Sequence, residues 1–225
     1  MAKYIDSYGD GINYFLLMDN AGKSLCDHVV EFHKKINKGK LKLNVWQEHI
    51  QILFKQMCVY INWLHNTAKM VHLDISLENM CIKGCEFKKG KFVSHGQINF
   101  IDFGLAKSYA GKKSFDNCTK YVGKPNYQPP KVYYNLPFNA AKADVWSLGV
   151  VLFTMITGCS AYTIPTTKDD MFITLYAGYI IEWAKYNGKH KYFSKSVSDL
   201  LYHIFCDEED RFTMKDIMKH KYLTK

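Results

Sequence analysis

Residues His72-Leu73-Asp74-Ile75-Ser76-Leu77-Glu78-Asn79 decide how the rest of this chain is read. Asp74 and Asn79 stand five residues apart, so one short loop can present a carboxylate and an amide to the same ligand. A second acidic motif, Asp102-Phe103-Gly104, follows the stretch from Met80 to Ile101. That stretch reads as a β-hairpin with its turn at Lys88-Lys89-Gly90. Ahead of the loop, Leu43 to His65 carries the clearest helical signal. Trp46, Ile50, Leu53, Phe54, Met57, Ile61 and Leu64 recur at intervals of three and four, which places them on one core-facing stripe.

Three more motifs lie downstream: Gly123-Lys124-Pro125-Asn126-Tyr127-Gln128-Pro129-Pro130-Lys131, Asp144-Val145-Trp146-Ser147-Leu148-Gly149, and Asp210-Arg211-Phe212-Thr213 with Met218-Lys219-His220. Each alone is common, but chance is a poor explanation for all of them in this order. Together they resemble the eukaryotic protein kinases of the Ser/Thr type, closest to the calcium/calmodulin-kinase-like group. The family forms are H-R-D-L-x-x-x-N, D-F-G, G-T-P-x-Y-x-A-P-E, D-x-W-S-x-G and R-x-T. The resemblance runs from about Tyr14 to Leu223.

The resemblance implies a mainly α chain (α+β overall) with a protein-kinase-like fold, and ATP-dependent phosphorylation of protein serine or threonine. Asp74 would orient and deprotonate the attacking hydroxyl. Asn79 and Asp102 would be the Mg²⁺ ligands that hold the ion against ATP, since Mg²⁺ takes hard oxygen donors. Phe15 to Asp19 would floor the adenine site, with Leu17, Met18 and Asp19 at the hinge. His72 would pack beneath Phe103, and Asp144 would accept backbone N–H groups from the catalytic loop. The implied partners are ATP and a protein substrate or partner protein. The rival class is a pseudokinase or interaction module that binds without turnover.

Several positions depart from the family pattern. Leu73 replaces the arginine that grips a phosphate on the mobile loop, so switching by that route is expected to be absent. Ser76 replaces a lysine beside the transferring phosphoryl group, and Lys124 replaces the threonine of G-T-P. In the family fold these two positions face each other, so Lys124 is the candidate charge stabiliser. Lys131 replaces the glutamate that normally pairs with the arginine matched here by Arg211. Two buried cations facing each other are costly, so Arg211 is expected to find another acceptor or Lys131 to turn outward.

The 225 residues suffice for one domain with a substantial core, and 48 % hydrophobic content argues against disorder. A kinase small lobe takes on the order of 60 residues ahead of the hinge, by typical element lengths. Only eighteen precede Asp19. The expected organisation is therefore one domain, residues 1–19 being a remnant hairpin of the small lobe with the hinge and residues 20–225 the large lobe. Gly9-Asp10-Gly11 reads as a hairpin turn rather than a phosphate loop.

No signal-peptide pattern is present, and the run Val150 to Phe153 is too short to cross a bilayer. Of the 30 basic residues only Arg211 is arginine, which points to codon bias and a solvated lysine surface. Nucleic-acid binding through Lys34, Lys35, Lys38, Lys40 and Lys42 is the weaker reading. Seven scattered cysteines, with Cys81 and Cys85 lacking a second pair to complete a metal site, read as reduced structural thiols. The expected compartment is cytoplasmic, with the nucleus as the alternative. Further helices are expected from Ser24 to about Lys35, Ala143 to Ile156, Asp170 to Ala184, Ser196 to Phe205 and Met214 to His220.

Overall fold

The apolar stripe on the longest helix organises the molecule. The computed structural model describes residues 4–111, 115–119 and 122–224. Strands β1 (Tyr4–Gly9) and β2 (Tyr14–Met18) form an antiparallel hairpin. Asp10 accepts the backbone N–H groups of Ile12 and Asn13 and so closes its turn, the role expected of this segment. Every residue of β2 is exposed.

Helix α1 (Leu25–Asn37) follows the short strand β3 (Lys23–Ser24). Ser24 occupies the N-cap position, but its side chain makes no capping bond, contrary to expectation. Helix α2 (Leu43–Asn66) buries its whole predicted stripe from Trp46 to Leu64. Trp46 donates its indole N–H to Met155 O at 3.0 Å and stacks on Phe32 with ring centroids 5.6 Å apart. Trp63, whose place on this apolar helix predicts a core position like that of Trp46, is instead 48 % exposed beside Tyr60. It lies off the buried stripe, where helix periodicity turns it to solvent.

Strand β4 (Met70–Val71) leads into the 72–79 loop. Strands β5 (Met80–Lys88) and β6 (Lys91–Phe100) make the long hairpin, and β3 adds to the free edge of β5. Gly22 enters that sheet at φ +105°, and a Cβ there would lie 2.2 Å from Ile82 O, so only glycine fits. Strand β7 (Lys107–Ser108) pairs with β4.

After α3 (Pro130–Tyr133) comes the central helix α4 (Ala140–Thr157). The Asn139 side chain caps its start by accepting from Lys142 N, and Gly158 at φ +69° ends it. Helix α4 is long and apolar enough to span a membrane by composition alone, but 78 % of it is buried inside the protein, so it is a core helix.

The single helix expected over 170–184 is two, α5 (Asp170–Tyr176) and α6 (Ile180–Tyr186). Gly178 at φ +80° breaks the run between them. Helices α7 (Lys195–Tyr202), α8 (Met214–Lys219) and α9 (Lys221–Thr224) finish the chain. Thr213 and Asp216 form a reciprocal capping box on α8.

Candidate active site

The loop that holds Asp74 is anchored from below by one buried carboxylate. Asp144, on α4, accepts the backbone N–H of His72 and of Leu73, each at 2.8 Å. The same carboxylate meets His65 Nε2 at 2.8 Å, with both side chains buried. The backbone contacts match the expected role of Asp144. His65 went unnoticed in the sequence, although a histidine four residues after Ile61 on the apolar face of α2 was a signal for a buried polar partner.

Leu73 is held at φ +63°, a left-handed conformation that a leucine adopts only when its surroundings enforce it. The bonds from Asp144 supply that enforcement and set the direction in which the chain leaves toward Asp74. His72 is wholly buried, with its ring 4.7 Å from Phe103 between centroids, as expected. Burial lowers its pKa despite nearby carboxylates. Its Nε2 has no hydrogen-bond partner.

Asn79 Nδ2 donates to Asp74 Oδ2 at 2.6 Å and to Asp74 O at 2.8 Å. Both bonds use the amide nitrogen and fix the Asp74 carboxylate within the loop. Asp102 reaches the same neighbourhood through the hairpin. Met80 pairs with Phe100 at its open end, and Ile101 N donates to Asn79 O at 2.9 Å. Asp102 sits at φ +59° and accepts from Gly104 N at 3.2 Å. The pairing of β4 with β7 closes the arrangement from the other side. Asn79 and Asp102, 23 positions apart in the chain, are thus brought together by strand register rather than by local sequence.

The segment from Val122 to Gln128 covers Asp74. Gly123 takes φ +81°, and a Cβ there would lie 2.8 Å from Leu73 O and 3.4 Å from Asp74 Oδ1. Gln128 Nε2 donates to Val122 O and Gly123 O, which holds this close approach in place. A small cavity lies between the two segments, lined by Asp74, Gly123, Lys124 and Asp144 among others.

Lys124 Nζ donates to Ser76 Oγ at 2.8 Å and lies 3.4 Å from Glu78 Oε2. The two substituted positions therefore do face each other. For Glu78, burial works to raise the pKa, but its backbone hydrogen bond and the Lys124 charge outweigh that and hold it below the usual range.

The remaining predicted site residues are on β2 and just after it. Leu17 and Met18 are about half exposed, and Asp19 is exposed. Two residues beyond Asp19, Ala21 O accepts from Asn99 Nδ2 at 3.0 Å, beside the Met80–Phe100 pair that leads to Asp102.

The profile of the protein kinase domain matches residues 1–223. The chain belongs to the protein kinase family. Several of its curated relatives are named serine/threonine-protein kinases. It is similar to serine/threonine-protein kinase A of Trypanosoma brucei brucei, 25 % identical over 99 % of this chain and 47 % of that protein. It is also 35 % identical to serine/threonine-protein kinase Nek3 of Mus musculus, over 54 % of this chain and 20 % of the relative. A third relative, CBL-interacting serine/threonine-protein kinase 13 of Arabidopsis thaliana, is 25 % identical over 87 % of this chain and 34 % of its own length. The chain thus spans less than half the length of these relatives.

Proposed function

We propose that this kinase domain transfers phosphate from ATP to serine or threonine hydroxyls of a protein, with Asp74 as the base and orienter. The observation that carries this is the Asn79–Asp74 bond of 2.6 Å on a loop that strand register joins to Asp102. The donor set fits Mg²⁺: Asn79 and Asp102 offer hard oxygens, and the amide nitrogen of Asn79 is already committed to Asp74. A bound Mg–ATP would supply the phosphoryl group and charge neutralisation. Asn79 and Asp102 would hold it, with Lys124 beside the phosphates and Leu17, Met18 and Asp19 along the adenine. Asp74 would accept the proton of the incoming hydroxyl, and the Lys124 ammonium would offset negative charge on the phosphate oxygens.

One observation favours a second reading, an interaction module without turnover. Every residue of the β2 segment is exposed. Catalysis of phosphoryl transfer is mostly positioning and charge stabilisation, so slow turnover is expected where β2 is this open to solvent.

Radiolabelled ATP with a generic basic protein substrate tests both readings, with Asp74→Asn as the control. Transfer that falls at least about 100-fold in Asp74→Asn supports the catalytic reading. Mg-nucleotide binding that Asp102→Ala weakens, without transfer by either protein, supports the module. Transfer that is undiminished in Asp74→Asn refutes the assigned base.

A further inference from the structure

A second cluster lies behind the loop, where α1, α2 and the β5–β6 hairpin meet. His28 on α1 and His49 on α2 are 3 % and 0 % exposed, and their Nε2 atoms face each other at 2.9 Å. One of these nitrogens must carry the proton between them. Cys85 on β5 brings its Sγ to the same point, and the three ligand atoms lie within 4.8 Å of one another. Behind His49, its Nδ1 meets His95 Nδ1 at 2.8 Å, and His95 is the cross-strand partner of Cys85. Phe92 stacks on the His49 ring with centroids 3.6 Å apart and holds its plane. On the other side a cleft lined by Lys23, Glu31, Phe32, Lys35, Gly84 and Phe87 opens onto His28 and Cys85.

We propose that His28 Nε2, His49 Nε2 and Cys85 Sγ form a binding site for a zinc-class metal ion, with the fourth position, toward the cleft, held by water. Two imidazoles and a thiolate from three separate elements are a donor set suited to a soft-tolerant d¹⁰ ion and unsuited to Mg²⁺. With His49 Nδ1 donating to His95, as an outer partner accepts in built metal sites, His49 Nε2 is the acceptor, and the proton on His28 Nε2 passes to His28 Nδ1 through solvent when the ion binds.

The ion binds the thiolate form of Cys85, as zinc-class ions do with cysteine. Binding therefore breaks its S–H bond, forms an S–metal bond and releases the proton to buffer. Cys85 as thiolate, together with Glu31, offsets the ion's charge. Lys23 and Lys35, which pair with Glu31 at the mouth, have room to turn to solvent.

The test uses the reduced 225-residue chain with Co²⁺ as reporter and Zn²⁺ as competitor. A thiolate-to-cobalt charge-transfer band should appear at one ion per chain, be displaced by Zn²⁺, and vanish in Cys85→Ser. Zn²⁺ should raise the thermal midpoint of the parent but not of Cys85→Ser, whose fold is checked by circular dichroism. His95→Phe should weaken binding by about tenfold or more. Calorimetry in two buffers should show about one proton released per Zn²⁺. Absence of the band, its survival in Cys85→Ser, or no proton release would each overturn the site and leave a hydrogen-bonded histidine relay in an aromatic core.

Discussion

Lys124 and Ser76 illustrate how two substitutions that look like separate losses become one arrangement. With Nζ 2.8 Å from Ser76 Oγ, the ammonium occupies the space beside the loop position that in the family carries lysine. Its flexible stem suits a non-directional contact with phosphate oxygens. In an active form of the protein, Lys124→Ala should lower kcat on the order of tenfold while ATP affinity changes little, because the charge matters most in the transition state. Ser76→Lys in that background should recover part of the loss. Steady-state kinetics on the three proteins check this, and unchanged turnover in Lys124→Ala would remove the compensation. The motif alignment placed both residues at the candidate site. The hydrogen bond between them and the competing Glu78 contact were not legible, because side-chain reach depends on how the covering segment packs.

Elements meet at two strained or buried joints, and each gives a prediction. Gly123 lets the covering segment touch the catalytic loop, with no room for a Cβ beside Leu73 O. Gly123→Ala should cost about 1–3 kcal/mol or displace the segment. Denaturant unfolding should show the loss, and turnover should fall with it. A neutral Gly123→Ala would mean that the segment is free to move away.

The second joint is His33 on α1, which donates from Nε2 to Met155 O on α4 at 2.9 Å. Burial lowers its pKa from 6.5, outweighing that hydrogen bond. The folded state thus binds the His33 proton more weakly than the unfolded chain. Its contribution to stability is complete above pH 6.5 and is lost as pH falls toward the depressed folded value. Unfolding of His33→Gln measured against pH should show a flatter decline below pH 6.5 than the parent. The long elements α2 and β5–β6 stand where their periodicity and turn residues predicted. The 170–184 run did not hold as one helix, since Gly178 broke a pattern that apolar spacing alone suggested was continuous.

Across the whole molecule, Arg211 ties the closing segment to the central helix. It is 3 % exposed, donates to the carbonyls of Ile204, Lys142 and Cys206, and lies 4.8 Å from the Trp146 ring centroid. Lys131 instead pairs with Glu208 and Glu209. The expected clash between the two cations is avoided because each has taken different acceptors. Arg211→Lys should cost about 2–4 kcal/mol, since lysine cannot reach three divergent carbonyls and leaves some unpaired. Lys131→Ala should change stability by no more than about 1 kcal/mol, because its pairs are partly solvated. Chemical denaturation separates the two, and equal losses would contradict this division of roles.

Sequence alone determined the family, the order of the motifs, the long helix with its buried stripe and the hairpin between Asn79 and Asp102. These follow from local propensities, turn chemistry and residue types at short spacing, which act before distant segments meet. Tertiary structure decided which distant groups became partners. His65 found Asp144, Lys124 found Ser76, Arg211 found backbone carbonyls, and Cys85 joined His28 and His49 rather than Cys81. Those choices depend on register, helix packing and the need to satisfy polar groups once they are buried, and none of these has a local signature in the chain.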